Sequence, residues 1–293
     1  MLLAEEHTAP GTDAGRQANM TRVVTVASGK GGVGKTNVSI NLAIAQALLG
    51  RRVVLLDADL GLANVDVLLN LKVRNTLEDV LEGRCGLEEV LVEGPAGVRI
   101  VPAASGVQKM ATLNSLESGN LVRAFSVMGD ETDLMVVDVA AGIHASVTTF
   151  ATAAHDIIVV VCDEPGSIAD AYALIKVLVQ NHNVRRFRVL ANMVRNANHG
   201  RIVFRKISRV AERYLDVVLR YAGHVPHDGF LQCALLRREA VMTAFPEVGA
   251  SLAFKKLAAA ADNWNEGPLV PGTVGFFFEQ LLGQSSGPVE VKR

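Results

Sequence analysis

The stretch of sequence that decides the fold runs from residue 29 to residue 36 and reads Gly29-Lys30-Gly31-Gly32-Val33-Gly34-Lys35-Thr36. It follows the apolar run 23–27 and precedes a helical pattern over residues 37–49. A glycine-rich loop between a strand and a helix is the context of a phosphate-binding loop, where backbone N–H groups and the helix N-terminus approach phosphate oxygens. A tight turn also needs glycines, but the complete pattern in this context favours phosphate binding.

Two lysines lie in this loop, and their expected tasks differ. Lys35 would reach the β- and γ-phosphates of a nucleotide, and Thr36 would hold Mg²⁺. Lys30 lies inside the loop, where most phosphate-binding loops carry no charge. Since Lys35 already provides a cation for the phosphates, Lys30 is expected to serve something further.

Length, composition and net charge limit the classes of protein to which the chain could belong. The chain has 293 residues, of which 49% are hydrophobic and 20% charged, and its net charge is −1. This length allows one large α/β domain or two small ones with a substantial core. A net charge this small argues against direct DNA binding by bulk charge, although it permits a local basic patch.

Cysteine usage and the N-terminal residues indicate a cytoplasmic protein. The three cysteines, Cys85, Cys162 and Cys233, show no paired spacing, which argues against disulfides and a cysteine-based zinc site. No apolar run approaches the roughly 20 residues of a membrane-spanning helix. Residues 1–20 are polar and acidic, unlike a secretory signal, and are expected to form a mobile tail.

Apolar runs alternate with helical patterns along the rest of the chain. Strands are predicted at 22–27, 52–56, 98–101, 134–137, 157–162, 188–191 and 217–225. Helices are predicted at 37–49, 76–81, 113–127, 167–180, 200–215, 251–263 and 274–282. This alternation predicts an α/β fold with a mostly parallel sheet flanked by helices on both faces. We expect one domain over residues 21–265, followed by a C-terminal segment over 266–293 that holds the helix 274–282.

Acidic residues follow two of the predicted strands. Asp57 and Asp59 come after the strand 52–56, and Asp138 follows the strand 134–137. Ligands of open parallel sheets bind beyond the carboxyl ends of the strands, where the phosphate loop also lies. An aspartate after a strand often caps a helix, but with the loop these acids favour an Mg²⁺ site, which needs few carboxylates.

These segments together resemble the MinD/ParA group of deviant Walker-type ATPases. The resemblance is carried by the loop with Lys30, by Asp57-Ala58-Asp59-Leu60-Gly61-Leu62-Ala63-Asn64-Val65-Asp66 and by Asp138-Val139-Ala140-Ala141-Gly142. More narrowly, the chain resembles the FleN (FlhG) family of flagellar-number regulators at residues 56–69, 99–106 and 162–173. The likeness covers about residues 22–282 and implies a P-loop NTPase fold of the SIMIBI type.

The resemblance implies a role for each matched position in the phosphate and metal site. Lys30 would cross a nucleotide-sandwich dimer to the partner's phosphates, Asp59 would activate the attacking water, and Lys35 would assist. Thr36, Asp57 and Asp138 would lie at Mg²⁺, and Gly142 would belong to a switch loop. Val139 departs from the usual Ser or Thr at its position and removes one hydroxyl. Nucleotide binding is expected to survive because the main ligands remain, and switch behaviour is the property open to change.

The resemblance also implies residues that bind ATP or ADP. Asn192 would read adenine, Pro226 and Asp228 would flank the base, and Glu164 would reach nucleotide across the dimer. The full set is Gly29, Lys30, Gly31, Gly32, Val33, Gly34, Lys35, Thr36, Asn37, Glu164, Asn192, Pro226 and Asp228.

The implied activity is slow, dimer-dependent ATP hydrolysis, and the implied output is control of a partner. A FleN-like ATP-bound homodimer would restrain the flagellar transcription activator FleQ and act opposite the polar GTPase FlhF. It would be cytoplasmic, either throughout the cytoplasm or peripheral at the inner membrane face or the cell pole. A ParA- or MinD-like ATPase that positions DNA, cargo or a division inhibitor is the alternative.

Ten basic residues lie between positions 185 and 220: Arg185, Arg186, Arg188, Arg195, Arg201, Arg205, Lys206, Arg209, Arg213 and Arg220. On the predicted helix, Arg201, Arg205 and Arg209 would line an exposed edge. The buried stripe would consist of Phe204, Ile207, Ala211 and Tyr214. The edge is either a solvated helix face or a patch for DNA, acidic lipid or an acidic partner, and we favour the solvated face.

Two further segments carry open alternatives. In the helix 274–282, Phe277, Phe278, Leu281 and Leu282 share one face, which would either pack on the core or make weak membrane contact without help from nearby lysines. In residues 163–172, Ser167 and Asp170 would form a capping pair, or Asp170 and Tyr172 would contact a partner.

Overall fold

In the residues that the structure describes, the central sheet has eight strands. The computed structural model describes residues 21–59, 65–102, 115–264 and 274–285. Within them the strands are β1 (Arg22–Ser28), β2 (Val53–Ala58), β3 (Val92–Glu93), β4 (Arg99–Val101), β5 (Leu134–Ala141), β6 (Asp156–Val161), β7 (Arg186–Val194) and β8 (Val218–Pro226). Their order in the sheet is β3-β4-β2-β5-β1-β6-β7-β8.

The strand pairs are parallel except at one edge. The short β3 runs antiparallel to β4, and every other neighbouring pair in the described sheet is parallel. The predicted mostly parallel α/β sheet is confirmed. Sequence periodicity missed β3 because two residues are too few to show alternation.

Helices connect these strands. In the described residues they are α1 (Lys35–Leu48), α2 (Val65–Leu68), α3 (Leu77–Leu81), α4 (Ser115–Asp130), α5 (Ala145–Ala153), α6 (Pro165–His182), α7 (Ala197–Tyr214), α8 (Gly229–Leu236), α9 (Val241–Ala244), α10 (Gly249–Ala261) and α11 (Val274–Ser285).

Two hydrophobic clusters cover the two faces of the sheet. One contains α3, α4, α5, α6, α7 and α11, and its largest buried side chains include Phe125, Phe150 and Phe187. The other contains α1, α2, α8, α9 and α10, and Phe254 is fully buried in it. Strands covered on both faces bury nearly every residue, which explains the near-continuous apolar runs in the sequence.

Several element boundaries differ from the sequence-based prediction. The helix α1 begins at Lys35 rather than residue 37, and β7 extends to Val194 rather than residue 191. The helix α5 was not predicted, because its sequence ASVTTFATA holds β-branched residues with weak helix propensity and its packing on β1 and β5 decides its state. The predictions for residues 1–20, 60–64, 103–114, 265–273 and 286–293 lie outside the described residues.

Candidate functional site

The sheet order brings the three predicted phosphate and metal segments side by side. The strand β5 lies between β2 and β1, so Asp57 pairs in register with Asp138, and Asp138 with Val26 of β1. The loop 29–34 follows β1 at the same end of the sheet. Three segments that are distant in sequence therefore form one site at the carboxyl ends of the strands.

The loop turns into α1 through Gly34, which has φ +84° and caps the helix without a side-chain hydrogen bond. A Cβ at Gly34 would lie 2.4 Å from Nδ2 of Asn192, and one at Gly29 would lie 2.1 Å from the backbone carbon of Asp170. Space beside Gly31 and Gly32 is open, with no atom of the described residues within 4 Å of an added Cβ. The loop is thus packed from behind and open in front, as phosphate binding requires.

Lys35 is buried against carboxylates. Its Nζ lies 2.9 Å from Oδ1 of Asp138 and 3.8 Å from Oδ2 of Asp59. The hydroxyl of Ser39 donates to the same Asp138 oxygen at 2.7 Å. Sequence reasoning missed Ser39, although its position four residues after Lys35 places it one helical turn further along α1.

The carboxylate of Asp57 accepts two backbone hydrogen bonds from residues that come after it in the chain. The backbone N–H of Asp59 donates to Oδ1 of Asp57 at 3.1 Å, and that of Val65 donates to Oδ2 at 3.2 Å. Asp57 is fully buried. Its carboxylate therefore organises the backbone that carries Asp59, while Asp59 itself faces Lys35.

The oxygen atoms of Asp138 and Thr36 are ligands of the kind that Mg²⁺ prefers. Oδ2 of Asp138 is buried and has no hydrogen-bond partner among the described residues, which leaves one carboxylate oxygen for a metal-bound water. Thr36 lies in the first turn of α1, beside Lys35. In the described part of the chain no group of three or more His, Cys, Asp and Glu side chains could hold a metal ion. Mg²⁺ needs no such cage, since it keeps waters and shares substrate phosphates.

Lys30 points away from this cluster. Its Nζ lies 3.1 Å from Oε2 of Glu164, and the two side chains are 45% and 62% exposed. Glu164 is the N-cap residue of α6, and Pro165 follows at the first helical position. The pair therefore sits on the surface next to the loop, whereas Lys35 is buried within the site.

A second polar cluster lies beside Glu164. Asp163 accepts a hydrogen bond from Lys206 at 2.5 Å and lies 2.7 Å from Nε2 of His199. Nδ1 of His199 accepts from the backbone N–H of Arg195, so Nε2 carries the proton that bonds Asp163. The bond from Lys206, followed by that from His199, lowers the pKa of Asp163. Sequence reasoning missed this cluster because its members come together only when α7 packs beside the end of β6.

Asn192 is buried behind the loop. It lies within β7, and its Nδ2 donates to the backbone carbonyl of Val33 at 2.7 Å. The thiol of Cys162 donates to the same carbonyl at 3.6 Å. The role of Asn192 in adenine recognition stays a prediction.

Pro226 and Asp228, which were predicted to flank the nucleotide base, make contacts within the fold. Pro226 ends β8 and pairs with Val194 of β7. The carboxylate of Asp228 accepts from the backbone N–H of Phe230 and of Ala250, both at 2.9 Å. Asp228 therefore caps α8 and bonds the start of α10, so any contact with a base would come from a side chain already held by two helices.

Three smaller predictions can be compared with the structure. Val139 is 1% exposed and packs in the hydrophobic cluster. The predicted capping pair of Ser167 and Asp170 is wrong: Ser167 lies inside α6, and its hydroxyl accepts from the backbone N–H of Cys162. Asp170 and Tyr172 are partly buried, and partner contact through them stays a prediction.

The basic residues between positions 185 and 220 lie in different environments in the fold. Arg188 is held against Asp156 and stacks over the ring of Trp264 at 4.2 Å, so it belongs to no surface patch. Arg201, Arg205 and Arg209 are exposed on α7, as predicted. Tyr214 was predicted to be buried but is 62% exposed, because it is the last residue of α7.

The C-terminal helix α11 packs on the core. Phe277, Phe278, Leu281 and Leu282 are all buried, and Phe278 stacks on Phe125 of α4 with ring centroids 3.6 Å apart. Of the two alternatives for this helix, core packing is the one present in the structure. In the described residues no helix combines the length and hydropathy needed to cross a membrane.

The chain is similar in sequence to known nucleotide-binding proteins, as the phosphate loop predicts. Residues 24–229 match the family model described as the CobQ/CobB/MinD/ParA nucleotide binding domain. The chain is 54% identical over 261 residues to the antiactivator FleN of Pseudomonas aeruginosa, an alignment that covers 89% of this chain and 93% of FleN.

The chain is also similar to a second flagellar protein and to a solved MinD structure. The flagellum site-determining protein YlxH of Helicobacter pylori is 31% identical over 227 residues, which cover 77% of this chain and 76% of YlxH. The structure of septum site-determining protein MinD from Pyrococcus horikoshii, complexed with Mg-ADP, superimposes with a TM-score of 0.64 at 25% identity and covers 83% of this chain and 96% of that one.

Proposed function

The chain belongs to the CobQ/CobB/MinD/ParA nucleotide-binding family and is a homologue of FleN, and from that premise we propose an ATP-driven dimer that controls flagellar number. In this proposal the ATP-bound homodimer restrains a flagellar transcription activator of the FleQ class. Hydrolysis to ADP and phosphate ends the restraint.

The observation that carries the proposal is the different placement of the two loop lysines. Lys35 is buried on Asp138, while Lys30 is exposed on Glu164. A cation on the surface at the mouth of the site can reach the phosphates of a second copy, whereas Lys35 serves its own chain. Dimerisation would therefore complete the charge around the triphosphate, which is what electrostatic catalysis of phosphoryl transfer needs.

Residues of a single chain would bind the phosphates, hold Mg²⁺ and orient the attacking water. Lys35 and the N-terminal amides of α1 would bind the phosphates, and Thr36 with Asp138 would hold Mg²⁺. The bound ion would neutralise charge on the phosphate oxygens. Asp59, anchored through its backbone to Asp57, would orient the attacking water.

Nucleotide state would then set the oligomeric state. The γ-phosphate adds contacts to Lys30 of the second copy, so ATP favours the dimer through differential binding. Loss of that phosphate removes these contacts. Turnover requires two chains and is expected to be slow, which suits a switch better than a metabolic enzyme.

The output follows from the homology to FleN, whose name describes an antiactivator. We propose that only the ATP-bound dimer presents the surface bound by the activator. Opposition to a polar GTPase of the FlhF type, at the inner membrane face or cell pole, belongs to the same proposal.

One observation favours a second function. Arg201, Arg205 and Arg209 form an exposed basic edge on α7, and none of them makes an ion pair with a described residue. Such an edge suits an acidic surface, including DNA, as in a ParA-like positioning ATPase.

A pull-down in two nucleotide states tests the proposal. Immobilised Asp59→Ala, loaded with ATP or with ADP, is offered a purified FleQ-class activator, and separately a labelled DNA duplex at low and high salt. We expect the activator to be retained with ATP and lost with ADP, and Lys35→Ala to retain none. Equal retention with both nucleotides would contradict the switch, and ATP-dependent retention of DNA alone would favour the positioning ATPase.

A further inference from the structure

The carbonyl of Val33, in the middle of the phosphate loop, accepts two side-chain hydrogen bonds. Asn192 donates from β7 at 2.7 Å, and the Cys162 thiol donates from the end of β6 at 3.6 Å. All three residues are buried. The contact therefore joins the loop after β1 to the two strands that follow β1 in the sheet order.

These bonds constrain the direction of one peptide plane. The peptide between Val33 and Gly34 is planar and trans, so its carbonyl oxygen and its N–H point in opposite directions. With the Val33 oxygen held on the strand side, the N–H of Gly34 is turned away from the strands. That is the open side of the loop, beside Gly31 and Gly32, where phosphate would lie.

Such a constraint matters because the loop could otherwise turn. Gly34 has φ +84°, and glycine rotates more freely than any other residue. A flipped peptide would present a carbonyl dipole to an anion instead of a donor. Because the peptide is held before the ligand arrives, binding does not include the free-energy cost of turning the peptide.

The donors are themselves held in place. The backbone N–H of Cys162 bonds the Ser167 hydroxyl at 3.0 Å. Met193, directly after Asn192, has φ +56°, and the pairing of β7 with β8 shifts register there. Backbone strain of this kind persists only where surrounding structure maintains it. Burial, then the charge of Glu164, raises the pKa of the Cys162 thiol to about 11, so the thiol keeps its proton at neutral pH.

We infer that Asn192 and Cys162 are positioning residues of the phosphate loop, which act through the Val33 carbonyl on the binding of polyphosphate whatever base it carries. The inference rests on the proposed nucleotide binding and deepens it. It differs from adenine recognition by Asn192, since a base contact leaves the affinity for a base-free polyphosphate unchanged.

Binding of a polyphosphate that carries no base distinguishes loop positioning by Asn192 from adenine recognition by the same residue. Calorimetry measures the affinity of wild type, Asn192→Ala and the exposed control Asn198→Ala for inorganic tripolyphosphate, ATP and GTP, each with Mg²⁺. We expect Asn192→Ala to weaken all three ligands about five- to tenfold, as the loss of one hydrogen bond does. Its ratio of ATP to GTP affinity should stay that of wild type, and Asn198→Ala should bind as wild type.

The cysteine pair provides a test that is independent of Asn192. Cys162→Ala removes the donor and should weaken tripolyphosphate about two- to threefold, because a thiol is a weak donor. Cys162→Ser keeps a γ-position donor on a shorter bond, so it should weaken tripolyphosphate less than Cys162→Ala does.

The outcomes are distinguishable. Unchanged tripolyphosphate affinity in Asn192→Ala, with weaker ATP binding, would overturn the inference for Asn192 in favour of base recognition. Equal weakening in Cys162→Ala and Cys162→Ser would overturn it for Cys162. A wild-type chain that binds neither ATP nor tripolyphosphate would overturn the proposed nucleotide binding itself.

Discussion

Asp138 is the residue on which the charges of the site converge. One of its oxygens accepts from Lys35 and Ser39, and the other has no hydrogen-bond partner among the described residues. A buried carboxylate with an unsatisfied oxygen is costly unless a ligand uses it. This feature supports Asp138 as the metal-side residue more strongly than Asp57, whose oxygens bond backbone amides.

The carboxylate of Asp59 is expected to act in hydrolysis rather than in nucleotide binding. Asp59→Ala should bind ATP and dimerise as wild type does, because Lys35 and Asp138 keep their contact. Its ATPase rate should fall about a hundredfold or more if the carboxylate orients the water. Phosphate release measures the rate, with exposed Asp216→Ala as the matched control. Wild-type turnover by Asp59→Ala would assign the catalytic role elsewhere.

The order of elements around the loop followed from local sequence, whereas the contact of Ser167 did not. The loop, its strand and its helix are contiguous, so the sequence predicted this strand–loop–helix order, while the roles of Lys35 and Thr36 stay predictions. Ser167 was misplaced: a Ser three residues before an acid suggests a cap, but α6 begins two residues earlier, at Pro165. The hydroxyl then lies inside the helix and bonds Cys162 instead.

At the scale of elements, α11 shows how a terminal helix is decided by its contacts. Its apolar face is compatible with membrane or with core from sequence alone. In the structure that face fills a groove between α4 and α5, with Phe277 near Phe150 and Phe278 on Phe125. Membrane contact stays a prediction, and it would require this face to leave the core.

Truncation of one ring measures the docking of α11. Phe278→Ala should lower the free energy of unfolding by about 3–5 kcal/mol, since the ring is fully buried. Chemical denaturation provides the value, and Glu279→Ala, exposed on the same helix, should change it little. A loss below about 0.5 kcal/mol for Phe278→Ala would mean that α11 is not docked in solution.

The link between β6 and α7 gives a pH-dependent prediction. Lys206 and His199 lower the pKa of Asp163 in the folded chain. Its charge therefore stabilises the fold above the unfolded pKa of about 3.9, and this contribution is lost as pH falls through the folded pKa.

Asp163→Asn isolates that contribution. The variant should melt below wild type at pH 7, and the difference in Tm should shrink as pH drops below about 4. Asp216→Asn, in an exposed ion pair, should match wild type throughout. An equal difference in Tm at both pH values would show that the charge of Asp163 does not stabilise the fold.

At the scale of the whole molecule, the sheet order creates the site and leaves Lys30 on the surface, where we propose that it reaches a second copy. The strands β2, β5 and β1 bring Asp59, Asp138 and Lys35 together, while the end of β6 places Glu164 beside Lys30. For Lys30 to reach a second chain it must leave Glu164. Their exposure makes this exchange inexpensive, because surface ion pairs contribute little.

Lys30→Ala tests the dimer. The variant should retain nucleotide binding through Lys35 but remain monomeric with ATP and lose nearly all turnover. Sedimentation velocity with ATP and with ADP reports the oligomeric state, and exposed Lys176→Ala serves as the matched control. An ATP-dependent dimer of Lys30→Ala would refute the role of Lys30 across the interface.

The sequence by itself determined the class of fold, the phosphate loop and the acids at the strand ends. These features are local: glycine conformation, apolar alternation and polar residues after strands act within a few neighbours. Only the tertiary structure decided that Asn192 and Cys162 hold the Val33 carbonyl, that Asp163 joins His199 and Lys206, and that α11 packs on Phe125. Those contacts join segments far apart in the chain, and sheet order and side-chain packing bring them together.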